Sequence, residues 1–205
     1  MEEEIRFYYA LEDYENLLEK YKSNLELKYE GCFFERTLQY DHPDEKCSFY
    51  SKEIDGRFRI RTSKNILNDE AYAKISWKRR LNDESYEGIH REEEKEVNFD
   101  YSQYDNLIFL LDNVIKMKPI ESYERYRNVF IGEGVEIVID KFPFAAALEI
   151  EAKGNNEKSA DEVIKMWLQK LNLDIKDSYD LSWDDKYSEI CKECGEEPKK
   201  HVKFE

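Results

Sequence analysis

The chain has 205 residues, 32 basic and 47 acidic side chains, and a net charge of −15. It has no apolar run near the ~20 residues of a membrane span. Its acidity argues against extended nucleic acid or anionic membranes as partners. Its 14% aromatic content and scarce Gly and Pro argue against disorder. Cys32, Cys47, Cys191 and Cys194 are too sparse for a secreted disulfide scaffold, and the acidic start shows no signal peptide. The expected location is cytoplasmic.

Residues 1–9 alternate as a strand and 11–24 carry apolar side chains at helical spacing. A strand is expected over 31–41, then a turn at His42-Pro43-Asp44. Strands over 47–54 and 57–63 would flank Asp55-Gly56 as a hairpin. Further strands fit 72–81, 88–99, 122–131, 134–140 and 145–153. Residues 105–117 read as an amphipathic helix, with Leu107, Ile108, Leu110, Leu111, Val114 and Ile115 as its apolar set. Ser159 and Glu162 form a capping box for a helix over 159–171 that carries Trp167 as core. A short helix is expected over 183–194, and 154–158 is the one hinge-like break. The domain reading is 1–175 as the body and 176–205 as a helical tail.

Residues i, i+2 and i+4 of a strand share a face. Glu2, Glu4 and Arg6 therefore oppose Ile5 and Phe7, and Glu149, Glu151 and Lys153 oppose Leu148 and Ile150. The same parity puts Arg57, Arg59 and Arg61 together, then Lys74 with Lys78, then His90, Glu92, Glu94 and Glu96, then Arg125 with Arg127, then Glu136 with Asp140. Like charges two residues apart sit only ~6–7 Å from each other on one face. They repel unless something of opposite charge lies between them. Glutamate pairs suit divalent cations through hard oxygen ligands. Arginine pairs suit phosphate oxygens. A closed barrel with these faces inside would hold a metal-bound polyphosphate.

These residues resemble the CYTH domains, also called triphosphate tunnel metalloenzymes, over roughly residues 1–153. The resemblance implies an α+β fold: an eight-stranded antiparallel β-barrel open as a triphosphate tunnel, with helices packed outside and a helical C-terminal tail. The Glu-x-Glu-x-Lys signature of the first strand is matched by Glu2, Glu4 and Arg6, with Arg in place of Lys. The Arg-x-Arg strand is matched by Arg59 and Arg61, the next basic strand by Lys74 and Lys78, and the acidic middle strand by Glu92 and Glu94. Arg125 and Arg127 stand where Lys-x-Arg is usual, Asp140 matches the penultimate-strand Asp, and Glu149 with Glu151 match the closing Glu-x-Glu. The helix over 159–171 and Ser178-Tyr179 look like the tail of the class IV adenylyl cyclase branch. Phe142 to Ala147 stand where many relatives have glycines.

The resemblance implies Mg²⁺ or Mn²⁺ held by Glu2, Glu4, Asp140, Glu149 and Glu151. It implies substrate binding by Arg6, Arg59, Arg61, Lys74, Lys78, Arg125, Arg127 and Lys153. Catalytic roles fall to Glu92, Glu94, Arg6 and Lys78. The expected partner is a small triphosphate such as tripolyphosphate or ATP, with a homodimer left open. The reaction the resemblance implies is hydrolysis of an inorganic or nucleoside triphosphate. An adenylyl cyclase and a non-catalytic binder of a triphosphorylated ligand or RNA 5′ end are the alternatives, the last suggested by Arg6. Cys191 and Cys194 are half of a zinc spacing and lack a second pair. A test follows from the repulsion argument. Glu4→Gln or Glu151→Gln is expected to raise the melting temperature of the metal-free protein and abolish its stabilisation by metal plus triphosphate.

Overall fold

The computed structural model describes residues 2–51, 54–81, 89–154 and 158–205. Eight strands are arranged in the order β2 (Lys28–Asp41), β3 (Gly56–Asn65), β4 (Ala71–Arg80), β5 (His90–Asp100), β1 (Glu2–Tyr9), β8 (Ala146–Ala152), β7 (Val135–Lys141) and β6 (Lys118–Gly132). Pairing of β2 with β6 closes the barrel, and every pairing among the eight is antiparallel. β7 covers β6 only from Tyr126 onward. A two-residue strand, β9 (His201–Val202), pairs in parallel with Ser122 and Tyr123 on the stretch that β7 leaves open.

Alternation decides which side of the barrel is greasy. Ile5, Phe7, Phe130, Ile137, Ile139, Leu148 and Ile150 face outward and are buried beneath α1 (Tyr14–Lys22) and α3 (Ala160–Leu171). The apolar core therefore lies between barrel and helices, and the barrel interior is left to the charged residues of the opposite parity. A second outer cluster holds Tyr40, Ile60, Leu111 and Met117, with Leu107 and Ile108 of α2 (Tyr104–Phe109) packed against it. Trp167 is fully buried in α3, whose Ser159–Glu162 capping box forms as expected. The tail helix α4 spans Trp183–Cys194.

Two expectations change. The described residues of 47–54 form no strand: Glu45–Cys47 is a 3₁₀ turn, and Asp41 accepts hydrogen bonds from the amides of His42 and Phe49. Phe49 packs on Phe58 and Trp77, which pulls the segment across the barrel wall instead of along it. Residues 52 and 53 of that segment lie outside the described residues, as do 155–157 of the expected hinge and residue 88 of the expected fifth strand. The helix expected over 105–117 turns π-helical at Leu110–Ile115. It buries Leu111 but leaves Leu110, Val114 and Ile115 exposed, and the Met117 amide closes the turn by donating to the Leu111 carbonyl at 2.9 Å.

At Gly132 a methyl group would lie 2.4 Å from Trp167 Cζ2 and 3.0 Å from Leu27 Cδ2. The indole cannot yield, since Trp167 Nε1 donates to the Glu133 carbonyl at 3.1 Å. Gly132→Ala is expected to cost about 1–3 kcal/mol by overpacking, measured by urea unfolding.

Candidate functional site: a charged tunnel

The barrel interior encloses about 170 Å³ of free space. Strand parity delivers its lining. β3, β4 and β6 contribute Arg57, Arg59, Arg61, Lys74, Lys78, Arg80, Arg125 and Arg127, while β5, β1, β8 and β7 contribute Glu92, Glu94, Glu96, Glu4, Glu149, Glu151 and Glu136. The acidic strands are neighbours around the barrel, so acid forms one wall and base the other. Arg6 and Lys153 are the cations set among the acids.

The two walls are joined by a ring of ion pairs that touches all eight strands. Arg61 lies 3.6 Å from Glu35, and Arg125 bridges Glu35 at 2.7 Å and Asp140 at 2.8 Å. Arg127 links Asp140 at 2.6 Å to Glu149 at 2.5 Å. Arg6 links Glu149 at 2.7 Å to Glu4 at 3.0 Å. Lys78 joins Glu4, at 3.4 Å, to Glu92, and Arg57 returns from Glu92 to β3 at 3.9 Å. Arg59 reaches Glu94 at 3.5 Å, and Lys74 pairs with Glu96.

The sequence-predicted residues fall into distinct places. Arg59, Arg61, Lys74, Lys78, Arg125, Arg127, Glu92, Glu94, Glu4, Arg6, Glu149, Glu151 and Lys153 all line the tunnel. The side chain of Glu2 lies outside the described residues; its backbone pairs opposite Glu92. Asp140 is fully buried, and both its oxygens accept from Arg125 and Arg127. In the metal-free chain it stands behind the arginines as their anchor. Arg6 is buried, and although burial opposes its charge, Glu149 and Glu4 raise its pKa well above the ordinary value. A side chain so held cannot act as a base, so the catalytic expectation for Arg6 becomes an electrostatic one.

Side-chain positions fit a hard cation by register more than by present contacts. Glu4 pairs opposite Glu151, and Glu151 opposite Glu136, giving three carboxylates in one row across β1, β8 and β7. Opposed like charges of this kind need a cation among them. Among the described residues no three metal-donor side chains converge on one point. Glu4 is turned to Arg6 and Lys78, and Lys153 lies 2.7 Å from Glu151 and 3.5 Å from Glu136. The donor chemistry fits Mg²⁺ or Mn²⁺ once these lysines and arginines are drawn off.

Sequence reading missed several residues. Glu35, Thr37 and Gln39 are buried on the inner face of β2, but they form no like-charge doublet. Tyr123 shares the inner face with Arg125 and its hydroxyl accepts from Arg61 at 3.1 Å. Ser182 and Trp183, from the start of α4, also line the tunnel. The tail lies across this end: the Tyr179 amide donates to the Arg6 carbonyl at 2.8 Å, and Trp183 stacks on Tyr123 with centroids 4.4 Å apart. Glu121 beside them is pushed up to about 7 by burial and by Asp184, against the pull of Arg57. His90 is held below its usual value by burial and by Arg80 and Arg6.

Two outcomes follow. Glu4 carries a cation on each oxygen, so the sign expected from sequence reverses: Glu4→Gln should destabilise the metal-free protein by on the order of 3 kcal/mol, measured by chemical unfolding. Burial would raise the carboxyls of Glu35 and Glu149, but Arg125 and Arg61 on the first and Arg6 and Arg127 on the second hold both well below the usual range. Their folded pKa values lie below the unfolded ones, so their contribution is complete above about pH 4.5 and is lost as pH falls through the folded values. The melting temperature should drop steeply on that acid limb, and less steeply in Glu149→Gln.

No family profile and no curated protein matches the chain. Solved structures do. PH1819 of Pyrococcus horikoshii is 21% identical with a TM-score of 0.64, over 85% of this chain and 92% of that one. A Vibrio parahaemolyticus adenylate cyclase candidate is 15% identical with a TM-score of 0.61, over 93% and 97%. HpAC1 of Hippeastrum, an adenylyl cyclase candidate with a dominant triphosphatase activity, is 15% identical with a TM-score of 0.59, over 97% and 98%. At these identities the likeness is one of architecture, and the chain shares with these structures its fold, a closed eight-stranded antiparallel barrel with helices packed outside.

Proposed function

We propose that this protein binds a triphosphate inside the tunnel together with a divalent metal ion and hydrolyses it. The observation that carries the reading is the division of one enclosed cavity into an acidic wall and a basic wall. A lone polyanion would suit only the basic wall, and a lone cation only the acidic one. A metal-bound phosphate chain is complementary to both.

Binding on this reading is an exchange of partners. Arg59 leaves Glu94, Arg61 and Arg125 leave Glu35, and Arg127 leaves Glu149 for phosphate oxygens, which their planar forks match in bidentate fashion. Lys74 and Lys78 add point charges. Asp140 keeps Arg125 and Arg127 aimed throughout. Glu4, Glu149 and Glu151, with Glu136 in the same row and Glu2 as the first-strand signature implies, would hold the metal ion. Mg²⁺ or Mn²⁺ there would supply positive charge against the phosphates and would lower the pKa of a bound water. Glu92 or Glu94 orients the attacking water and accepts its proton as the terminal phosphorus–oxygen bond breaks. The guanidiniums stabilise the charge that develops on the diphosphate leaving group.

A cyclase is the second reading, favoured by the near full-length architectural likeness to the Vibrio adenylate cyclase candidate. There the ribose 3′-hydroxyl would attack the α-phosphorus and release diphosphate.

Phosphorus NMR of the protein incubated with tripolyphosphate or ATP, each with Mg²⁺ or Mn²⁺, separates the readings. Orthophosphate is the expected product. Pyrophosphate with cyclic AMP would establish the cyclase. No product and no metal-dependent binding would sink both. Arg127→Ala is expected to lower kcat/KM at least about 100-fold, the scale of losing one charge-stabilising donor.

A further inference from the structure

Tyr123 is an unusual group to find among the tunnel's cations. It is 2% exposed, and its backbone pairs opposite Thr37. Arg61 Nη2 donates to the phenol oxygen at 3.1 Å, and Arg61 Nε donates to the neighbouring Thr37 hydroxyl at 3.0 Å. The Arg125 guanidinium lies 6.0 Å from the ring centre. Trp183 covers the ring from α4.

The charges around it are unequal. β3 presents Arg59 and Arg61, and β6 itself presents Arg125 and Glu121. β2 presents Glu35 beside Thr37 and Gln39. β1 brings Tyr8, with Arg6 behind it, and β7 brings Asp140. α4 places Asp184 and Asp185 against Glu121. Glu35 and Asp140 are already bridged to arginines. The phenol oxygen is thus left with cations as its nearest charges. Burial pushes the phenol up, but Arg61, Arg125 and Arg59 outweigh it and bring the group down to about 7.

We propose that Tyr123 is the tunnel's built-in anion: ionised against Arg61, Arg59 and Arg125 in the ligand-free protein, it takes up a proton when a polyphosphate oxygen claims those guanidiniums. The inference rests on the triphosphate reading and names a residue that makes binding pH-dependent. No covalent bond changes. One proton passes from solvent to the phenolate, and Arg61 exchanges a phenolate oxygen for a phosphate oxygen. Proton uptake on binding means that affinity falls as pH rises, by up to about tenfold per unit above the free-state pKa.

The test uses the full chain in EDTA. Near-ultraviolet tyrosinate absorbance should show one phenol ionising near pH 7 in the wild type and none there in Tyr123→Phe. At about pH 8, tripolyphosphate should remove that absorbance and draw about one proton from the buffer, read by calorimetry in two buffers of different ionisation enthalpy. Tyr123→Phe should then bind tripolyphosphate up to about tenfold more tightly than wild type. The wild-type titration needs no variant, and Arg61→Gln, which removes the nearest cation, should return the phenol toward its ordinary range. Tyrosines that all titrate in that ordinary range would overturn the inference. So would bound tripolyphosphate that leaves the absorbance unchanged. Absence of tripolyphosphate binding with and without Mg²⁺ would instead overturn the triphosphate reading, and this inference with it.

Discussion

The ring of ion pairs that runs from Arg61 through Glu35, Arg125, Asp140, Arg127, Glu149, Arg6, Glu4 and Lys78 to Glu92 is the constraint on which the rest of the molecule depends. Buried charge is tolerated only when every member is compensated. Here the pairs run from strand to strand around the barrel, so compensation requires the barrel to be closed and in register. A slip of one residue on any strand would turn its charges into the apolar shell and its apolar residues into the tunnel.

That requirement explains the inverted layout. A barrel of eight strands ordinarily fills its interior with side chains. This one fills it with arginine, lysine and glutamate, and moves the hydrophobic core outside, under α1, α2 and α3. The helices are therefore not ornaments on a finished barrel, since they bury the outward faces whose opposite parity defines the site. The tail adds a third device. Tyr179, Trp183 and the short strand β9 tie themselves to β1 and β6, so one end of the tunnel is walled by residues from beyond the barrel.

The tunnel was legible in the sequence wherever a strand repeats one sign of charge at every second position. Arg57-x-Arg59-x-Arg61, Glu92-x-Glu94-x-Glu96 and Glu149-x-Glu151 announce both their face and their chemistry. β2 was opaque because Glu35, Thr37 and Gln39 share a face without sharing a charge, and Tyr123 because an aromatic among arginines reads as core. The segment after His42 was misread because the Asp55-Gly56 hairpin signal suggests a strand before it, whereas the segment places Phe49 against Trp77, a contact set by tertiary packing and not by local propensity. β9 is too short to leave a periodic signal. Asp140 was found, but its partners were not, since only the structure shows two arginines occupying both its oxygens.

The order of strands also dictates when the molecule can become whole. β1 lies between β5 and β8, so Ile5 waits for Ile150 and Arg6 for Glu149. β2 likewise waits for β6, with Glu35 opposite Arg125. A nascent chain carries its acidic first strand with one edge unpaired even after β5 has been made, and the seam is sewn only when the eighth strand arrives. Pairings of such long sequence separation make for slow folding. The doublets of like charge that later face the tunnel also keep that waiting strand from pairing with its own kind, because identical strands laid edge to edge would set glutamate against glutamate.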